Sequence, residues 1–151
     1  MKLEEKFEAL YIEVEKMASK MSGWSKGNKN KAFRIYISIS ILSALITLFV
    51  AIENDINEKF ELVIKSTILI CSGLTTILAA WEGFFNHKQL WVNYGETSGM
   101  LRALQLRIKL LSDEEKKDQE LFDRLYQDYQ STLNNNNDKW IQLRSDDSKS
   151  N

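Results

Sequence analysis

The chain has 151 residues, a formal net charge of −1, no proline and a single cysteine, Cys71. The near-neutral balance, with a pI near 5.9, lacks the basic face of a nucleic-acid binder. One cysteine excludes a disulfide framework and argues against a thiolate metal site within the chain, and this length accommodates a membrane hairpin with a small helical module rather than a further catalytic domain of ordinary size.

The opening Met1-Lys2-Leu3-Glu4-Glu5-Lys6 is acidic and amphipathic, without the apolar core of a signal peptide. Leu3, Phe7, Leu10, Val14, Met17 and Met21 then recur at alternating spacings of four and three, which predicts one cytoplasmic amphipathic helix over 3–22. Ser22-Gly23 is expected to end it. Gly27, Asn28 and Asn30 mark a turn over 24–30 that leads to the next element.

Residues 35–52 carry no charge. Eighteen residues at ~1.5 Å rise per residue cover about 27 Å, close to a hydrocarbon core of roughly 30 Å, so a transmembrane helix over 32–53 is expected. A second uncharged run, 66–81, lengthens to a transmembrane helix over 62–86. That requires Lys65 to snorkel near one end and Glu82 to sit at the other interface, beside the interfacial aromatic Trp81. Whole-chain mean hydropathy is −0.32 because charged flanks dilute this apolar centre. If the two runs instead formed the core of a soluble helical bundle, the rest of the chain would have to bury them.

The loop over 54–61 joins the spans, and around it Glu53, Asp55, Glu58 and Glu61 stand against Lys59. Ahead of the first span lie Lys26, Lys29, Lys31 and Arg34 with no acid, and beyond the second lie Lys88, Arg102 and Arg107. Basic flanks stay on the cytoplasmic side, so both termini are expected inside and the loop outside.

Ser40, Ala44, Thr47 and Ala51 share one face of the first span, and Ser66, Gly73, Thr76, Ala80 and Gly83 form a similar stripe on the second. Stripes of small and hydroxyl residues are packing faces for helices in lipid. Two uses are open: the stripes pack on each other within one chain, or they form contacts between protomers or line a pore. Glu82 is either an interfacial carboxylate facing water or a pore-mouth charge that favours cations.

Beyond the second span, Trp91, Tyr94, Ser98, Leu101, Leu104, Ile108 and Leu111 predict that the helix continues unbroken into the cytoplasm to 111. Gly95 and Gly99 lie within it and cost about 1 kcal/mol each relative to alanine. They serve either close helix packing or a hinge that lets the cytoplasmic helices swing. Ser112-Asp113-Glu114-Glu115 is a capping box that should start a last helix over 113–143, with Lys116–Glu120 and Glu120–Arg124 as charge pairs on its wet side. Phe122, Leu125, Tyr129, Leu133, Asn136, Trp140 and Leu143 keep one phase across the run Asn134-Asn135-Asn136-Asn137. A continuous helix with Asn136 in a polar seam position is therefore expected, followed by a polar, disordered tail over 144–151. The fold class is all-α: a two-transmembrane helical hairpin with a small cytoplasmic bundle made by the N- and C-terminal helices, in a single domain over 1–151.

A short N-terminal helix, two spans with a very short loop, Trp81, then Trp91-Val92-Asn93-Tyr94, Leu101-Arg102 and a last helix running through Leu133 to Trp140 resemble the SLATT family, the SMODS- and SLOG-associating two-transmembrane effectors of bacteria. The resemblance extends from Phe7 to Leu143. In this chain Gly95 and Gly99 stand where a basic and an acidic residue are common in the family. It implies an inner-membrane effector that oligomerises to form a pore or disrupt the membrane in anti-phage, abortive-infection defence, beside a nucleotide-second-messenger synthase or another sensor as partner. The alternative is a non-conducting membrane adaptor whose cytoplasmic helices dock a partner protein. Enzymatic motifs are missing: His87 is the only histidine, and the sequence has no phosphate loop, no nucleophile elbow and no implied cofactor.

Overall fold

The computed structural model describes residues 2–52 and 58–145, with the backbone alone for Glu58, Lys59 and Arg144. The described residues are helical and contain no strand: α1 (Leu3–Ile52), α2 (Glu58–Phe85), α3 (His87–Lys109), a 3-10 turn (Glu115–Lys117) and α4 (Gln119–Ser145). They divide into two compact units, one from Met1–Asn28 with Lys88–Asn151 and the other from Lys29–His87. Residues 53–57 and 146–151 lie outside the described residues; of the loop expected over 54–61, residues 58–61 instead open α2, and of the tail expected over 144–151, residues 144–145 instead close α4.

The first unit has an apolar core drawn from three helices. Phe7, Leu10, Val14, Ala18 and Met21 of α1 meet Leu101, Leu104 and Ile108 of α3 and Leu125 and Tyr129 of α4. Each set follows the spacing of three and four expected of an amphipathic helix, because only one stripe of each helix can turn away from water. Phe7 stacks edge-on against Phe122 at 5.3 Å between ring centroids. Polar contacts also bind the helices, among them the buried Ser98 hydroxyl, which donates to the Ala18 carbonyl at 2.9 Å, and Arg107, which pairs with Asp128 at 3.2 Å. Burial and the nearby Glu13 carboxylate push the Tyr129 phenol up, which keeps it neutral in the core.

The expected turn over 24–30 is absent, and α1 runs through it without interruption. Neither Gly23 nor Gly27 has a positive φ. Contacts around them compensate for two weak helix formers: the Ser25 hydroxyl donates to the Trp91 carbonyl at 2.8 Å, Trp24 packs on Tyr94 at 5.4 Å, and Asn28 Nδ2 bonds back to the Trp24 carbonyl. Tertiary contact overrides propensity here.

The opposite correction applies beyond the second apolar run. No proline interrupts it, yet the helix breaks at Asn86, which holds φ 49 between α2 and α3. Its amide donates to the Glu82 carbonyl at 2.7 Å, so the residue terminates α2 as a left-handed cap. Asparagine tolerates this backbone region better than other residues with a side chain.

The capping box forms, but it starts only the 3-10 turn. Ser112 donates its amide and hydroxyl to Glu115 at 2.8 Å each, and Glu115 returns its amide to the Ser112 hydroxyl. These donors hold the Glu115 carboxyl below its ordinary range. Asp118 caps α4 itself, accepting from the amides of Glu120 and Leu121 at 2.8 and 3.2 Å. Lys116 accordingly pairs with Asp113 at 3.7 Å rather than with Glu120, whereas Glu120–Arg124 forms as expected. The helix continues through all four asparagines to Ser145.

Asn86 supplies a direct test of the break. Asn86→Ala should destabilise the protein by about 1 kcal/mol and Asn86→Gly should not, because only the alanine side chain clashes in the left-handed region. Thermal unfolding of the detergent-solubilised chain measures both.

Candidate functional site

The second unit carries the apolar stretches, and its burial pattern is periodic. On α1 the half-buried positions are Ala32, Ile35, Ile39, Leu42, Ile46 and Phe49. On α2 they include Glu61, Ile64, Ile68, Thr75, Leu78, Glu82 and Phe85, with Cys71 fully buried among them. Both series alternate spacings of three and four, the repeat that places large side chains along one seam.

All nine residues of the small-residue stripes lie elsewhere. Ser40, Ala44, Thr47 and Ala51, and Ser66, Gly73, Thr76, Ala80 and Gly83, are all exposed. Every one stands one or two positions after a seam residue, which in a seven-residue repeat is the outward side of the helix. The expectation that these stripes pack on each other within one chain is therefore corrected. The bulkier Ile, Leu and Phe side chains fill the internal seam, and the small faces are left open.

Six hydroxyls of these stretches are satisfied within their own helices. Ser40, Thr47, Ser66 and Thr76 donate to the carbonyl four residues earlier at 2.8–3.0 Å. Thr67 and Thr75 do the same. Such back-bonding lets a hydroxyl sit in an apolar medium without an unsatisfied donor. The back-bonded hydroxyls are compatible with an apolar surrounding, and the exposed small faces are an argument for close approach by another helix.

The two charges differ in setting. Lys65 is paired with Glu61 one turn earlier, so the pair is neutral as a whole. Glu82 occupies the half-buried seam with Oε2 shut off from solvent, away from the outward stripe. A pore wall built on the outward stripes does not present Glu82.

In the first unit, Gly95 and Gly99 both sit inside uninterrupted α3. A methyl group at Gly95 would meet the Ser25 hydroxyl at 3.2 Å, whereas one at Gly99 would meet open space. Gly95 is therefore a close-packing glycine, and α3 continues through both residues. A polar layer lies next to them, and sequence reading found only one of its members. Asn136 accepts from Asn93 Nδ2 at 3.1 Å and lies 3.1 Å from the Thr97 hydroxyl. Asn93 and Thr97 are buried. The Glu96–Lys139 ion pair at 2.8 Å flanks the layer. Asn93 and Thr97 are spaced four apart, and that spacing, set against the polar seam position of Asn136, was the available signal.

Among the described residues no group of His, Cys, Asp or Glu comes together as a metal site. In comparisons with known proteins, no family model, no curated protein and no solved structure matches this chain.

Two stability measurements follow from these contacts. Asn136→Ala leaves the buried Asn93 amide only its longer bond to the backbone carbonyl of residue 136, 3.4 Å away, and should cost about 1–3 kcal/mol. Replacing Asn93 and Asn136 together by leucine should cost less than the single change, since it also removes Asn93 Oδ1, which has no partner among the described residues. Gly99→Ala should raise stability by up to about 1 kcal/mol, and Gly95→Ala should gain less because it crowds Ser25. Chemical denaturation of the full chain compares all four.

Proposed function

We propose that the chain is a two-span effector of the bacterial inner membrane that self-associates to open a pore or disrupt the bilayer in anti-phage, abortive-infection defence. One observation carries the membrane part of this reading. Two helices are long and apolar enough to cross a membrane, and their most apolar windows are 0% and 6% buried within the chain. The core helix of a soluble protein would be mostly buried. Here Phe33, Tyr36, Leu48, Leu62, Leu69, Ile77 and Phe84 all point outward, and leaving one large apolar side chain in water forgoes about 1.5–3 kcal/mol. Lipid is the solvent that removes that cost.

In this reading the two apolar helices form a hairpin with both termini cytoplasmic and the acidic loop outside, following the distribution of lysine and arginine. The other unit forms the cytoplasmic bundle. Two helices are too few to enclose a channel, so a pore needs several protomers, and the outward stripes from Ser40 to Ala51 and from Ser66 to Gly83 are the faces that allow their backbones to approach. The SLATT resemblance supplies the biological setting, including a nucleotide-second-messenger synthase or other sensor as partner.

Expression of the wild-type chain should be toxic with loss of membrane potential. Ala44→Phe and Ala80→Phe, which fill the outward stripe, should reduce toxicity at least about tenfold and shift the detergent-solubilised protein to smaller assemblies. Leu42→Ile on the internal seam should change neither. Membrane insertion with a full membrane potential and no toxicity would replace the pore with a non-conducting adaptor.

A further inference from the structure

A groove of about 390 Å³ opens in the second unit, lined by Lys31, Arg34 and Ile35 of α1, Trp81 and Phe85 of α2, and His87. Its volume is that of a small-molecule site. Lys31 and Arg34 stand immediately before the uncharged run that begins at Ile35, and Trp81 ends the other uncharged run, so the groove sits at the edge of the apolar band. One wall is a connected set of rings: Trp81 lies 4.9 Å from Phe85, and Phe85 stacks on His87 at 5.5 Å with the planes 5° apart. His87 is only 6% exposed, which fixes the lower ring in place. The opposite wall carries two cations on exposed side chains, and no carboxylate among the described residues lines the groove.

A mouth with two cations, an apolar floor and an interfacial tryptophan has the polarity of a phospholipid in reverse. We propose that this groove holds an anionic phospholipid, with Lys31 and Arg34 on the phosphate and Ile35, Trp81 and Phe85 against the glycerol and the first methylenes of an acyl chain. The arginine fork matches two phosphate oxygens and the lysine adds a point charge. Basic recesses between membrane helices on the cytoplasmic side recognise anionic headgroups on the same grounds. The site rests on the membrane reading above and adds a specific lipid ligand to it.

Titration of the full chain in detergent with phosphatidylglycerol or phosphatidylcholine, read by native mass spectrometry, tests the site. The wild type should retain phosphatidylglycerol in preference. Lys31→Ala and Arg34→Ala should each weaken that retention about fivefold, and the double variant about 25-fold, at the usual worth of one basic residue at an anionic surface. The pair Lys26→Ala and Arg102→Ala removes the same charge elsewhere and should leave retention unchanged. Ile35→Trp fills the groove without changing charge and should also abolish the preference, which separates occupancy from a general charge effect if the double variant folds poorly. Equal binding of both lipids, equal loss in the control pair, or binding of inorganic phosphate as tight as that of the lipid would overturn the proposal. Flotation with phosphatidylcholine vesicles separates the two readings: a chain that floats but shows no preference lacks this site, and one that does not float lacks the membrane role as well.

Discussion

The molecule is governed by one solvation requirement: two stretches of helix present leucine, isoleucine and phenylalanine to their surroundings, and among the described residues these side chains stay exposed. The internal seam uses only one side of each helix, from Ala32 to Phe49 on α1 and from Ile64 to Phe85 on α2. In the proposed reading, lipid or further copies of the chain cover the other sides. Backbone polarity poses no obstacle, since a continuous helix satisfies its own amides and carbonyls, and six hydroxyls of the apolar stretches bond back into the same helices. The charged residues nearest the apolar band are likewise accommodated, Lys65 by Glu61 and Glu82 by a place in the seam.

The other unit solves a different problem. Three amphipathic stripes bury one another around Phe7, Val14, Leu101 and Leu125, each no more than 2% exposed. Apolar contact alone permits several registers, because leucines slide past one another at little cost. The layer of Asn93, Thr97 and Asn136, with Ser98 on the Ala18 carbonyl, selects one register, since a shift would leave buried donors without acceptors. Close approach at Gly95, where Ser25 reaches the Trp91 carbonyl, serves the same purpose.

The proposed roles follow from the contrast between these two units. One is closed by its own side chains. The other has finished an internal seam and still presents small, smooth faces and an aromatic, basic groove at the border of its apolar band. Faces of that kind fit association with like helices, and a groove of that kind fits a lipid headgroup.

Composition and periodicity were enough to establish helices throughout, the positions of the two apolar stretches, the phase of the seams around Phe7, Leu101 and Leu125, and the polar seam position of Asn136. These are properties of single helices, in which residue spacing alone decides which side chains share a face. Where a helix stops was less legible. Gly23, Gly27 and Asn28 looked like a turn, but contacts from Trp91 and Tyr94, distant in sequence, keep α1 intact. Asn86 looked like an ordinary helical position and became a left-handed cap. The capping box at Ser112 forms as a local motif, but Asp118, six residues further on, caps α4. The small-residue stripes were also found by spacing, but spacing identifies a face without saying what it meets. Only the tertiary structure decided that the bulky residues take the internal seam and leave the small ones outside, because that choice depends on how two helices fit together.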